Sequence, residues 1–119
     1  MQYMLLIYDD EKARASRSET QSKRMFEEYG AFTQSIVKGG QFRAGAPLQP
    51  TSTATTVRQK NGKPVTMDGP FAESKEQLGG YYLVECKDLD EAIAIAGRIP
   101  SVRAGGSIEV RPVMPLPQA

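Results

Sequence analysis

The sequence predicts an α+β domain of the ferredoxin-like sandwich type, and three observations support that fold class. Apolar segments occur in the order strand, helix, strand, hairpin, strand, helix, strand. Two strand–helix–strand units of this kind form an antiparallel sheet with both helices on one face. A length of 119 residues suits one domain, which we expect to span residues 1–119.

The first strand and the first long helix have clear patterns. The run "YMLLIY", residues 3–8, predicts a strand with apolar residues on both faces, and the following "DDEKARAS" is expected to be a solvated loop. Ser18 and Gln21 fit a capping box that opens a helix over residues 18–38, and Gly39-Gly40 ends it. One apolar stripe along this helix consists of Met25, Tyr29, Phe32 and Ile36.

The middle of the chain predicts an irregular strand followed by a hairpin. In "QFRAGAPLQP", Gly45 and Pro47 favour a bulge or an edge position. In "TATTVRQKNGKPVTM", two β-rich arms flank Asn61-Gly62, the dipeptide preferred in type I′ turns.

The second half repeats the strand–helix–strand order. "GGYYLVECK" predicts a strand with large apolar residues on both faces, and Asp88 with Glu91 opens a helix that ends before Pro100. Ile108 and Val110 should face the core from the last strand, and residues 113–119 are expected to be a loose tail. The buried side of the second helix is predicted to consist of Leu89, Ala92, Ile93 and Ala96.

The two-faced strands predict a homodimer. Two helices can cover only one face of a four-stranded sheet, so the apolar residues on the other face need a second cover. A second copy of the chain, packed sheet to sheet, is the simplest one.

Composition excludes several classes of function. The net charge is +1 and the basic residues are scattered, so direct nucleic-acid binding is not expected. The single Cys86 suits a reducing cytoplasm, and the short apolar run at the start predicts neither a signal peptide nor a membrane span. The chain has no histidine, which removes the usual zinc ligand and the usual acid–base group. We expect no metal site and no resident cofactor.

Two charged residues are candidates for chemistry. Asp68, in "MDGPF", can act as a general acid or base if burial adjusts its pKa, but an aspartate before Gly-Pro also commonly caps a turn. Arg43, in "QFRAG", can clamp an anionic substrate through its guanidinium fork or pair with a glutamate on a neighbouring strand. Both alternatives stay open for each residue.

Aromatic residues are the candidates for substrate contact. Tyr8, Tyr81 and Phe71 are predicted to line a pocket for a small molecule. The alternative is that such tyrosines fill a core with only the hydroxyl reaching an edge.

Four segments resemble a known family in their order and spacing: "YMLLIYDDE", "GAPLQP", "DGPFAESKEQLGGYYLVE" and "GSIEVRPVM". They are similar to the YCII-related family and, within it, to the branch named after its DGPF motif. The resemblance implies a ferredoxin-like protomer that pairs into a dimeric α+β barrel with room for small, often aromatic, molecules. It also implies acid–base chemistry through an aspartate with a histidine partner. Asp68 would match that aspartate, but the histidine is missing here.

Three functions therefore compete. The first is a dimeric, metal-free enzyme that converts a small aromatic or anionic molecule, with Asp68 as base and Arg43 as clamp. The second is a non-enzymatic ligand sensor or regulatory module associated with an extracytoplasmic-function sigma factor, an association that the family resemblance implies. The third is an inert structural dimer.

Overall fold

The computed structural model describes residues 1–117, in which four strands form one antiparallel sheet and two more form a separate hairpin. The sheet order is β2-β5-β1-β6, so β1 lies between β5 and β6, and β2 is an edge strand. This is the ferredoxin-like arrangement that the sequence predicts, with the hairpin inserted between β2 and β5. The strands are β1 (Gln2–Asp9), β2 (Phe42–Pro47), β3 (Thr55–Lys60), β4 (Lys63–Asp68), β5 (Gln77–Glu85) and β6 (Ser107–Pro112). The α-helices are α1 (Glu11–Ala15), α2 (Glu19–Lys38) and α3 (Leu89–Gly97), and short 3-10 turns occur at Thr51–Thr53 and Pro100–Val102.

The long helix α2 begins and ends where its capping residues predict. Ser18 is the N-cap, and its hydroxyl accepts a hydrogen bond from the Gln21 amide at 3.1 Å. The Gln21 side chain accepts in return from the Ser18 amide at 2.9 Å, which completes the capping box. At the other end Gly40 has a φ of 81°, which lets the chain leave the helix without strain.

The acidic segment after β1 is a helix, so the prediction of a solvated loop is wrong. Asp10 caps α1 and accepts a hydrogen bond from the Lys12 amide at 2.9 Å. Both carboxylate oxygens of Glu11 accept from Thr51, one from its amide and one from its hydroxyl, each at 2.8 Å. The Glu11 amide donates to the Gln77 side-chain oxygen at 3.0 Å. These long-range bonds hold a five-residue helix that is too short to persist alone.

The core lies between α2, α3 and one face of the sheet. Strand β1 alternates strictly, with its odd-numbered positions buried. On α3, Leu89 and Ile93 are exposed, so their predicted burial is wrong, whereas Ala92 and Ala96 are buried as expected. Leu89 and Ile93 are four residues apart and share a stripe that flanks the buried one. The buried core consists of Tyr3, Leu5, Ile7, Phe32, Ile36, Tyr82, Val84, Cys86, Ala92, Ile95, Ala96 and Ile99.

The hairpin β3–β4 pairs through a tight turn at Asn61-Gly62. Both residues have positive φ, 53° and 78°, as a type I′ turn requires. Every residue of β4 is exposed, and Val57 on β3 is exposed as well. The radius of gyration, 16.4 Å, exceeds the roughly 13.5 Å expected of a compact chain of this length. The hairpin therefore projects from the sandwich.

Residues 113–117 have no regular secondary structure, although the Val113 amide donates to the Gln2 carbonyl at 2.9 Å. The last two residues of the predicted tail lie outside the described ones.

Candidate functional site

A cavity of about 600 Å³ lies between the amino-terminal half of α2 and the sheet. Its walls come mainly from five elements: the end of β1, helices α1 and α2, and the facing parts of β2 and β5. This volume falls within the range of small-molecule sites in proteins.

The apolar stripe on α2 explains why the cavity lies at this end of the helix. Phe32 and Ile36 are buried in the core, whereas Met25 and Tyr29 are only partly covered and line the cavity. Gly30, on the same helix, also lines it. The stripe predicted from sequence thus serves the core at one end and the cavity at the other.

Glycines on the facing strands keep space for the cavity and its side chains. A Cβ atom on Gly45 would lie 2.7 Å from the Tyr82 ring, and one on Gly80 would lie 3.1 Å from the Ala46 carbonyl oxygen. A Cβ on Gly79 would lie 3.3 Å from the Arg14 guanidinium and 3.4 Å from the Asp9 carboxylate. A side chain at Gly80 would therefore require a small shift of the β2 backbone, and one at Gly79 a small shift of the Arg14 side chain.

Asp9 is the polar centre of this cavity. It occupies the last core-facing position of β1 and is only 9% exposed. Among residues 1–117 its Oδ1 atom has no hydrogen-bond partner. The Arg14 guanidinium is 3.9 Å from Oδ1, which gives electrostatic attraction but is too long for a hydrogen bond. A buried carboxylate oxygen without a partner is unusual, because its desolvation is not compensated.

Two phenols accompany this carboxylate, and both are protonated at neutral pH. Tyr29 shares a hydrogen bond of 2.5 Å with the Ser101 hydroxyl, and burial raises the pKa of Tyr29. Tyr82 shares one of 2.7 Å with the Thr33 hydroxyl, and burial likewise raises the pKa of Tyr82.

The direction of the second bond follows from the partners of Thr33. The Thr33 hydroxyl donates its single proton to the Tyr29 carbonyl at 2.9 Å. The Tyr82 hydroxyl must therefore donate to Thr33, which leaves its oxygen able to act only as an acceptor toward the cavity.

A second cavity, of about 630 Å³, adjoins the first. Asp9 and Arg17 line both cavities, so they form a shared wall. Ser74, Lys75 and Glu76 line the second cavity, which brings the "ESKEQ" part of the DGPF segment close to the Asp9 region.

The structure does not bring the residues predicted from sequence together. Asp68 is exposed at the end of β4, its carboxylate makes no hydrogen bond within residues 1–117, and Phe71 is 76% exposed. Arg43 is exposed and donates to the carbonyls of Gly40 and Phe42 at 2.9 and 3.0 Å. Tyr81 lines the first cavity and Tyr8 the second. Asp68, Phe71 and Arg43 line neither of these two cavities, and the roles given to all five residues stay predictions.

Sequence reasoning missed the charged residues of the cavity, Asp9, Arg14 and Arg17. One signal could have found Asp9: Tyr3, Leu5, Ile7 and Asp9 share the same side of an alternating strand, so a carboxylate follows three core residues. Arg14 was assigned to a solvated loop, and its approach to Asp9 depends on the unexpected helix α1.

Residues 1–117 contain neither a cluster of metal-ligating side chains nor a helix suited to crossing a membrane. Within residues 1–117 no three His, Cys, Asp or Glu side chains converge as metal ligands would. None of the helices described here combines the length and apolar character that crossing a membrane requires.

The fold and the cavity define a ferredoxin-like α+β protein with a small-molecule-sized site beside a buried carboxylate. The chain belongs to the YCII-related domain family, whose sequence profile matches residues 1–117. It is 40% identical over 114 residues to an uncharacterized protein of Rhizobium meliloti (strain 1021). The aligned residues cover 95% of this chain and 92% of the relative. Placement in the DGPF branch stays a prediction.

A solved structure shares the fold. It is the 5-chloro-2-hydroxyhydroquinone dehydrochlorinase TftG from Burkholderia phenoliruptrix AC1100, in complex with 2,5-dihydroxybenzoquinone. The two chains align with a TM-score of 0.51 over 96% of this chain and 94% of the other. Sequence identity is 15%, so the likeness shows a common fold only.

Proposed function

We propose that this protein is an enzyme that binds a small hydroxylated molecule in the first cavity, called the main cavity below, and removes a proton from that molecule through Asp9. One observation carries the proposal: Asp9 lines the cavity and is 9% exposed, and its buried Oδ1 atom has no hydrogen-bond partner among residues 1–117. Such an oxygen lacks a donor, and a ligand hydroxyl that reaches it would supply one. The mechanism needs only side chains of this chain, in keeping with the absence of histidine.

The hydrogen-bonding groups around the cavity favour a substrate that donates. Asp9 Oδ1 and the Tyr82 oxygen both present acceptor positions, since the Tyr82 proton is used by Thr33. A hydroxyl group on the substrate can donate to Asp9 and transfer its proton there, which leaves the electron pair on the substrate oxygen. The cationic Arg14 guanidinium, 3.9 Å from Asp9 Oδ1, would stabilise the negative charge that the transfer leaves on a substrate oxygen beside Asp9.

The structural neighbour guides the choice of substrate to test. Its name specifies a hydroxylated, chlorinated hydroquinone as substrate, and its structure holds a dihydroxybenzoquinone. Hydroxylated rings of this size match the acceptor groups of the present cavity and its volume of about 600 Å³. They are therefore the first compounds to assay.

Replacing either Asp9 or Asp68 with asparagine tests whether activity depends on the cavity or on the hairpin. Under anaerobic conditions, the wild type, Asp9→Asn and Asp68→Asn are incubated with hydroxyhydroquinone and 5-chloro-2-hydroxyhydroquinone, and turnover is followed by NMR. We expect Asp9→Asn to lower kcat/KM by about 100-fold or more, because general-base catalysis contributes on that scale. Asp68→Asn should keep the wild-type rate. A variant pattern with Asp68→Asn inactive and Asp9→Asn active would refute the assignment, as would an absence of both binding and turnover in the wild type.

We further propose that two copies of the chain pair through the sheet face that the helices leave uncovered. This face carries the half-buried side chains Met4, Leu6 and Leu83, and within residues 1–117 no helix packs on it. The projecting hairpin adds exposed apolar groups, Val57 and Met67 among them. Static light scattering at micromolar concentration should give twice the mass of 13.0 kDa, and a monomer mass would refute the pairing.

The sigma-factor association stays a prediction that rests on family resemblance alone. Co-purification of the chain with an extracytoplasmic-function sigma factor would support it.

A further inference from the structure

We propose that the substrate of the main cavity carries an anionic group, such as a carboxylate, and that Arg17 binds it. The inference rests on the function proposed above and extends it, because it adds a charge to the hydroxyl that Asp9 recognises. It depends on how Arg17 is placed and on which cations around the cavity already have partners.

Arg17 lies at the wall that the two cavities share. It is half-buried, and it immediately precedes Ser18, the N-cap of α2. Within residues 1–117 its guanidinium forms no ion pair with a carboxylate and no side-chain hydrogen bond. A guanidinium carries five donors in a planar fork that matches a carboxylate, so a half-buried one without partners is a ready anion site.

The other arginines of the described chain differ from Arg17. Arg14 has Asp9 beside it, and Arg103 and Arg111 pair with Glu28 and Glu109. Arg43 donates to main-chain carbonyls, and Arg98 lies over the Phe32 ring and donates to Ser35. Arg24 and Arg58 are exposed and line neither cavity. Arg17 therefore combines cavity lining, partial burial and a free guanidinium.

The charge balance around the cavity favours an anion. The charged residues that line the main cavity are two arginines, Arg14 and Arg17, and one carboxylate, Asp9, while the phenols of Tyr29 and Tyr82 are neutral. The amino-terminal end of the 20-residue helix α2 reaches the same wall, since Ser22 lines the cavity. The positive end of the helix dipole adds to the field of Arg17. A ligand with one negative charge would neutralise this excess.

The cavity wall also offers a surface for an aromatic ring. Phe26 is 81% exposed at the cavity wall, where a ligand ring could cover it. The ligand class that satisfies these groups together is a hydroxylated aromatic acid: its hydroxyl on Asp9, its ring near Phe26 and its acid group on Arg17.

The experiment compares acids with their neutral isosteres. Binding of 4-hydroxybenzoate and 4-hydroxybenzamide, and of 3,4-dihydroxybenzoate and its amide, is measured by titration calorimetry and ligand-observed NMR. The proteins are the wild type, Arg17→Gln and Arg24→Gln, the last a matched control on the exposed side of α2. We expect the wild type to prefer each acid over its amide by about tenfold to a hundredfold, the scale of one charge-assisted hydrogen-bonded pair. Arg17→Gln should remove that preference and leave amide binding unchanged, and Arg24→Gln should behave as wild type.

Each contrary result has a defined meaning. Equal binding of acid and amide by the wild type would refute the anion site and leave the Asp9 function intact. Equal loss of both ligands in Arg17→Gln would also refute it, because a structural defect would act on acid and amide alike. Absence of binding by all four compounds would refute both the anion site and the cavity as a site for hydroxylated aromatic molecules.

Discussion

Replacing Asp9 with asparagine keeps the shape of the side chain and removes its charge, so it tests whether the carboxylate serves the fold or a ligand. Asp9 lies at the end of β1 with 9% of its surface exposed. Its neighbours at this position are Gly79, whose missing side chain leaves room for it, and Arg14. A structural aspartate would be held by hydrogen bonds, whereas Oδ1 has none within residues 1–117.

Two opposing terms determine the expected magnitude. A buried polar oxygen without a partner costs about 1–3 kcal/mol, and more if it is charged. Attraction to Arg14 opposes this, but the Arg14 side chain is 42% exposed and 3.9 Å away, so the pair contributes about 0–1 kcal/mol. The amide of asparagine is cheaper to bury than a carboxylate. We therefore expect Asp9→Asn to change the free energy of unfolding by between zero and about 2 kcal/mol, in the stabilising direction.

Urea unfolding followed by circular dichroism measures this difference, with Asp68→Asn as the exposed control that should stay within about 0.5 kcal/mol of wild type. An unchanged m value would show that both variants keep the native surface burial. A loss of more than about 1 kcal/mol in Asp9→Asn would refute the reasoning. It would mean that the Asp9 carboxylate stabilises the native state and does not serve ligand binding.

Three other predictions concern the cavity walls. Because burial raises the pKa of Tyr29 above 10.0, its stabilising contribution is complete below pH 10 and is lost as pH rises further. Tyr29→Phe should therefore reduce the alkaline fall in unfolding free energy, and an unchanged slope would contradict this. Gly45→Ala should destabilise the fold by about 1–3 kcal/mol in urea unfolding, since its Cβ would lie 2.7 Å from the Tyr82 ring; a neutral effect would show that the ring moves freely. Gly30→Ala on α2 should raise stability by about 0.5–1 kcal/mol, because open space surrounds the added methyl and alanine favours helix. A melting temperature of Gly30→Ala below that of the wild type would contradict this expectation.

Much of the fold could be predicted because its signals are local. The Ser18–Gln21 capping box and the Asn61-Gly62 turn depend on neighbouring residues, and both occur as expected. Apolar residues on both faces predicted the strands β1 and β5, which are central in the sheet, and the order of elements predicted the fold class. Helix α1 escaped prediction because its stability comes from Glu11 bonds to Thr51, 40 residues away.

The candidate site was harder to predict because its groups are distant in sequence. The hydroxyl pairs Tyr29–Ser101 and Thr33–Tyr82 join residues 72 and 49 positions apart. Asp9 lies next to Gly79 only because β1 pairs with β5 in the antiparallel sheet. The residue pattern within one segment cannot predict such long-range contacts. The DGPF segment drew attention to Asp68, but that residue lies on the projecting hairpin, away from both cavities.

The sequence by itself determined the order of the strands and the two longer helices, the caps of those helices, the Asn61-Gly62 turn, the fold class and the family to which the chain belongs. The tertiary structure alone decided which titratable groups share a cavity. It also decided that, among residues 1–117, the buried Asp9 Oδ1 atom has no hydrogen-bond donor and the Arg17 guanidinium, which lines the same cavity, has no partner. The physical reason is one of range. Helix caps, turns and strand alternation arise from interactions between residues a few positions apart, whereas desolvation and ion pairing depend on every atom nearby, whatever its place in the chain.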